Sequence, residues 1–190
     1  GWDSVRLEEG MVTVRDLLPE DAPVLLKWLT NPEVLAFYEG RDACFTLGKI
    51  QKVFFDGENT RCIIEWQGKP AGYVQFYPVE GEDRQEYQFD GPEQHVFGMD
   101  QFLGEPELWG KGIGRRFIRL ILAHLFGERG AEAVVLDPHA DNLRAIRCYE
   151  ACGFRKEKFL PAHEFHEGKM RDCWLMVCRE SPNDRKADTQ

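Results

Sequence analysis

The sequence predicts a mixed α/β domain (α+β in class) built on one sheet, and three observations lead there. Strand-like and helix-like stretches are interleaved along the chain rather than segregated. A run of alternating glycines, Trp109-Gly110-Lys111-Gly112-Ile113-Gly114-Arg115-Arg116, stands between a strand-like stretch and a long amphipathic one. Internal repeats and linker-like changes of composition are absent. Residues 11–180 therefore read as one domain, between a polar lead-in at 1–10 and a polar tail at 181–190.

Each element has its own warrant. Met11–Leu17 alternates Val12 and Val14 with Thr13 and Arg15, a first strand. Pro19-Glu20-Asp21 opens a helix through Leu25, Leu26, Trp28 and Leu29, because proline and acids suit a first turn. Thr30-Asn31-Pro32 stops it. A short helical piece at Glu33–Tyr38 and a helix at Leu47–Phe55 follow. Arg61–Trp66 and Ala71–Val79 flank the turn Gln67-Gly68-Lys69-Pro70, a hairpin. Glu80–Gln94 is polar and acidic and reads as a long loop. His95–Leu103 is a fourth strand. The glycine run then opens a helix to about Gly127, with Ile113, Phe117, Ile118, Ile121, Leu122 and Leu125 on one face. Ala133–Leu136 is a short strand. Asp141 or Asn142 caps a helix through Tyr149, which Gly153-Phe154 ends, starting another strand. After a polar stretch, Asp172–Arg179 is the last strand.

Composition narrows the function. The 190 residues are 43% hydrophobic and 12% aromatic, enough for a full core. The formal net charge of −9 disfavours nucleic acid and suits a cationic ligand. Apolar runs stay far short of the roughly 18 residues of a membrane span, and a signal-peptide pattern is missing, so a cytoplasmic protein is expected, working as a monomer or weak dimer. The six cysteines, Cys44, Cys62, Cys148, Cys152, Cys173 and Cys178, form no CxxC pair and read as reduced thiols. A zinc set can be written from His163, His166, Cys173 and Cys178, but its spacing matches no standard pattern, and no metal is expected. His139, His163 and His166 read as surface or packing residues.

The glycine run carries the chemistry. Glycines let backbone approach a ligand without Cβ clashes. The helix behind them directs unpaired N–H groups and a positive dipole end at the loop, an anion site suited to phosphates. Lys111, Arg115 and Arg116 add positive charge. Neither the dinucleotide fingerprint nor the Walker loop fits, since the spacing is Gly-x-Gly-x-Gly and no Gly-Lys-Ser/Thr occurs.

Strand, Gly-x-Gly-x-Gly, helix, strand, and then Asn142-Leu143-Arg144-Ala145-Ile146-Arg147-Cys148-Tyr149-Glu150-Ala151-Cys152-Gly153-Phe154 together resemble the GCN5-related N-acetyltransferase superfamily over residues 11–180. Gly98-Met99-Asp100-Gln101-Phe102-Leu103-Gly104-Glu105-Pro106, Leu136-Asp137-Pro138-His139 and Asn142–Arg147 narrow the likeness to aminoglycoside 6′-N-acetyltransferases, nearest the acetyltransferase half of the bifunctional acetyltransferase–phosphotransferase type. The resemblance implies a mostly antiparallel mixed sheet with a splayed central pair of strands and flanking helices. It also implies acetyl-coenzyme A as cosubstrate, its pyrophosphate on the Lys111–Arg115 amides. Cofactor contacts would come from Gln101, Phe102, Leu103, Gly110, Lys111, Gly112, Ile113, Gly114 and Arg115, and from Asn142, Ala145 and Tyr149. Two positions depart from the pattern: Trp109, where many members carry Gln or Arg, and Phe97, where tyrosine is expected.

Acetyl transfer to an amine needs a neutral nucleophile, a donor for the thioester oxygen and a proton for the leaving thiolate. Asp100, at the end of the fourth strand, can bind a substrate ammonium and accept its proton. Tyr149 holds the position from which the family protonates the sulfur. The resemblance places Asp137 facing the antibiotic as well. Tyr38, Glu39, Glu82, Asp83 and Asp172 are further acceptor-binding candidates, since each ammonium drawn from water wants a partner. Cys148 and Cys152 share one helix face, but the resemblance implies direct attack in a ternary complex rather than an acyl-cysteine. Two other readings stand beside this one: an acetyltransferase for another cationic amine, such as a polyamine or siderophore precursor, and a non-catalytic coenzyme A-binding sensor.

Overall fold

The computed structural model describes residues 4–184 and begins with a strand, Arg6–Glu9 (β1), where a loose lead-in was expected. β1 is polar because it needs only backbone pairing: it lies antiparallel on Val12–Asp16 (β2), Leu7 opposite Val14. Charged residues suit such an edge. A 3-10 turn at Pro19–Asp21 leads into helix Ala22–Leu29 (α1), and Asn31 caps the short helix Pro32–Leu35 (α2). Thr46 accepts a bond from the Lys49 amide and so caps helix Leu47–Phe54 (α3). The expected hairpin is Thr60–Trp66 (β3) and Lys69–Pro78 (β4).

The stretch read as a long acidic loop contains a helix, Gly81–Tyr87 (α4), with Glu82 and Asp83 in its first turn. The expected fourth strand is the fifth, Val96–Leu103 (β5). The glycine loop then enters helix Ile113–Gly127 (α5), and Ala133–Leu136 (β6) follows. Helix Leu143–Ala151 (α6) precedes a long hairpin, Arg155–His166 (β7) and Lys169–Cys178 (β8). The strand expected to start at Gly153-Phe154 is β7, and it runs on through the stretch read as polar, paired across to β8. Of the polar tail, 182–184 form a helical turn and 185–190 lie outside the described residues.

The strands follow the order β1-β2-β3-β4-β5-β6-β8-β7 in one sheet. β5 and β6 run parallel; the pairs β1–β2, β2–β3, β3–β4, β6–β8 and β7–β8 are antiparallel. The chain divides into two compact units, one up to Phe76 together with Asp100–Phe117, the other Tyr77–Met99 together with the chain from Ile118 onward. This division falls inside β4, β5 and α5, so composition carries no trace of it.

The first unit packs Leu25, Trp28 and Leu29 of α1 with Ile50, Phe54 and Ile63, all nearly inaccessible. The second packs Val79, Val96, Val135 and Leu175. The apolar face read for α5 is buried at every position named, each worth about 1.5–3 kcal/mol on transfer.

One buried ion pair supports the first unit. Asp21 accepts from Arg15 at 2.8 and 3.0 Å and from the Leu18 amide at 2.8 Å. Burial opposes ionisation of Asp21, but these bonds outweigh it and hold its pKa below the ordinary value. A depressed folded pKa contributes stability above the unfolded value of about 4, lost as pH falls through the lower folded one. Asp21→Asn is therefore expected to cost about 3 kcal/mol at neutral pH, and less in acid. Urea unfolding at both pH values checks this; an equal loss at both would mean that charge is not what Asp21 contributes.

Candidate active site

In the first unit, β4 and β5 approach closely. The Gly104 amide donates to the Ala71 carbonyl at 2.8 Å, and a Cβ on Gly72 would lie 2.4 Å from the Phe102 carbonyl oxygen. Only glycine fits position 72. The same pairing sets Gln75 against Asp100, and Gln75 Nε2 donates to Asp100 Oδ2 at 2.8 Å. Gln75 Oε1 accepts from Arg61 at 2.5 Å and from the Tyr73 hydroxyl at 2.6 Å. Arg61 also donates to the Tyr73 oxygen at 2.8 Å and to the Asp56 carboxylate at 3.1 and 3.2 Å.

Asp56, Arg61, Tyr73, Gln75 and Asp100 thus form one polar chain across β3, β4 and β5. The bonds from Arg61 and to Asp100 fix which way the Gln75 amide points. Burial pushes the Tyr73 hydroxyl pKa up, so it stays a donor. Beneath runs an aromatic floor: Phe102 lies 5.6 Å from Tyr73 and 4.5 Å from Tyr38, centroid to centroid. Asp100 and Tyr38 are half-buried, while Glu39 is exposed. Burial, then the nearby Tyr73, Asp100 and Glu39, raises the Tyr38 pKa well above its usual value.

The end of β5 is anchored. A Cβ on Gly104 would sit 2.2 Å from the Trp28 ring, and Glu105 accepts from the Trp28 indole and from Lys27. Trp109, the first departure, donates its indole N–H to the Leu103 carbonyl at 3.0 Å and meets Phe37 edge-on at 5.6 Å. It ties the glycine loop back to the strand, a task its backbone could not do alone.

Gly110 and Gly112 are exposed in the glycine loop. Gly110 and Gly112 have φ of 76° and 80°, and nothing lies within 4 Å of a Cβ built on either. These glycines serve conformation, not packing. They open onto the first turn of the 15-residue helix α5, whose leading amides lack intrahelical acceptors. Lys111 and Arg115 are exposed beside them.

In the second unit, Asn142 accepts from the Ala145 amide at 3.3 Å and caps α6. Gly153, at φ 105°, ends it, and the Phe154 amide returns to the Tyr149 carbonyl at 3.0 Å. Tyr149 is half-buried, its ring 6.0 Å from Phe154. Asp137 follows β6, and His163 Nε2 lies 2.9 Å from its Oδ2. This hydrogen bond raises the His163 pKa, so His163 is more than the surface or packing residue expected. Asp172 Oδ1 accepts from the Ala162 amide at 2.9 Å, where Ala162 sits at a positive φ in the β7 bulge. Glu82 and Asp83 are exposed on α4. Phe97, the second departure, is buried under Arg129, whose guanidinium lies 5.3 Å from its ring.

Sequence reasoning missed Arg61, Tyr73 and Gln75. Their signal was the alternation of the hairpin, which puts Tyr73 and Gln75 on one face of β4 and Arg61 opposite Gln75.

The family described as acetyltransferase (GNAT) domain matches residues 18–161. The chain is 30% identical over 151 residues to aminoglycoside N(6′)-acetyltransferase type 1 of Klebsiella pneumoniae, covering 77% of this chain and 75% of that one. A solved structure of AAC(6′)-Ib with ribostamycin and coenzyme A matches at 27% identity and TM-score 0.75, over 93% of this chain and 97% of the other. A second, of AAC(6′)-Ib with paromomycin and acetyl-coenzyme A, gives 27% and 0.74 over the same shares. The chain belongs to the acetyltransferase (GNAT) family and is related within it to the aminoglycoside N(6′)-acetyltransferases.

Proposed function

We propose that this protein transfers the acetyl group of acetyl-coenzyme A to the 6′-amine of aminoglycoside antibiotics, by direct attack in a ternary complex, and so confers resistance. One observation carries the reading: a half-buried carboxylate, Asp100, aimed by a polar chain, stands on the strand that leads into an open glycine loop at a helix start. The relatives, with their aminoglycoside and coenzyme A complexes, support it.

The amides of Lys111–Arg115 hold the pyrophosphate, with Gly110 giving them access, and Asn142 and Ala145 line the cofactor from α6. Asp100 binds the 6′-ammonium and accepts its proton, leaving a neutral amine. A backbone N–H near Gln101, Phe102 and Leu103 of β5 donates to the thioester oxygen as negative charge develops there. The C–N bond forms, the C–S bond breaks, the Tyr149 hydroxyl gives its proton to the sulfur, and the proton shed by the acylated nitrogen passes through solvent to restore that hydroxyl. Asp137 and Asp172, with Tyr38, Glu39, Glu82 and Asp83, meet the other ammonium and hydroxyl groups of the drug. Among the described residues no helix is long and apolar enough to cross a membrane, and none of the six cysteines forms a disulfide. Reduced cysteines support a cytoplasmic site of action.

Thiol release from acetyl-coenzyme A with kanamycin A, beside the analogue carrying a 6′-hydroxyl, tests the reading. Release is expected only with the 6′-amine. No release with any aminoglycoside would remove the drug from the proposal.

A further inference from the structure

A second cluster of side chains converges in the second unit, and the reaction above does not use it. His139 Nε2 lies 3.5 Å from Glu164 Oε1. The His139 and His166 rings stand 4.8 Å apart at 74°. The ligating atoms of all three residues fall within 4.8 Å of one another.

The backbone brings them together without any ion. Glu164 and His166 are alternate residues of β7, so they share a face. A bulge between Leu160 and Glu164 sets their register, with Glu164 opposite Arg171 and His166 opposite Lys169. His139 is held to β8 by a bridge with Cys173, by the Ala140 amide on the Asp172 carbonyl at 2.8 Å, and by the Trp174 amide on the Pro138 carbonyl at 3.0 Å. His166 is buried, His139 half-buried and Glu164 exposed, leaving an open side for entry.

We propose that His139, Glu164 and His166 bind a divalent transition-metal ion of the zinc class. Two imidazoles and one carboxylate form a donor set that Zn²⁺ and Co²⁺ accept, with further positions left to water. Bonds of about 2.0–2.1 Å in a tetrahedron put ligand atoms roughly 3.3 Å apart. The His139–Glu164 pair, at 3.5 Å, is near that spacing, and all the ligand atoms lie within 4.8 Å of one another. The Cys173 thiol stands outside this group and is directed at the Arg171 carbonyl oxygen, 3.9 Å away. Of the four residues from which the sequence could write a zinc set, His166 alone belongs to this one. The ion clasps the segment after β6 to the bulged strand β7.

The test needs no turnover. The chain, dialysed against a chelator, is titrated with Co²⁺ while visible absorption is followed, then with Zn²⁺. The expected result is one ion per chain, with d–d bands that Zn²⁺ abolishes. Glu164→Gln and His139→Asn are each expected to weaken Co²⁺ binding by at least roughly 10–100-fold, the loss that even an outer-shell partner brings. Circular dichroism of the metal-free variants should match the parent chain. Absence of saturable uptake overturns the proposal, and so does uptake that keeps parental affinity in both variants or carries a sulfur-to-cobalt band.

Discussion

Asp100→Asn is expected to lower kcat/KM for an aminoglycoside by about 10²–10⁴-fold, the range that a positioned acid–base group supplies. The substitution is nearly isosteric. The Asn carbonyl oxygen can accept from Gln75 Nε2 as Asp100 Oδ2 does, at 2.8 Å. The chain through Tyr73, Arg61 and Asp56 therefore stays in place, and thermal stability should change little. What disappears, under the proposed function, is the carboxylate that would bind an ammonium and take its proton. Steady-state kinetics with kanamycin A, paired with a melting curve, separates the two effects. Parental kinetics would put proton acceptance elsewhere; a large fall in melting temperature would assign Asp100 a structural task instead.

Tyr149→Phe is expected to lower kcat by roughly 10²-fold, through loss of proton donation to the thiolate. Coenzyme A affinity should shift far less. The variant keeps the ring and its 6.0 Å contact with Phe154 on the far side of Gly153, so α6 retains its end. A loss of kcat with unchanged cofactor binding is what an interaction made only in the transition state produces. Comparison of single-turnover rates with calorimetric binding of acetyl-coenzyme A provides the measurement. An unchanged rate would mean that the thiolate leaves unaided.

The parts of the site that were legible in the sequence are local. A Gly-x-Gly-x-Gly loop, an Asn142 cap and a Gly153 stop each act within one helical turn, and their residues name them. The face of α5 was legible for the same reason, since its period is written in one stretch. β1 was not, because four polar residues become a strand only when β2 offers them partners. The start of β7 was legible after Gly153-Phe154, but its length was hidden by lysines and glutamates that stay solvated while the backbone pairs with β8. α4 had a readable signal, acids in its first turn and Arg84 in its last, outvoted by the acidic composition around it. Asp100 was legible as a strand-end carboxylate, but the residues that aim it were not, because Gln75 and Arg61 reach it only through cross-strand register. His163 is the same kind of omission: its partner Asp137 lies 26 residues away.

The amide of Gln75 has a consequence for how Asp100 meets a cation. A guanidinium bonded straight to that carboxylate would orient it well but neutralise it, and a positively charged guest would find its seat already taken. Here the guanidinium of Arg61 stops one residue short. A neutral side chain passes on direction while withholding charge, like an insulating link in a rigid arm. The Gln75 amide thus aims the Asp100 carboxylate through a neutral contact, so the aiming bond itself brings no positive charge to the place an incoming amine would take.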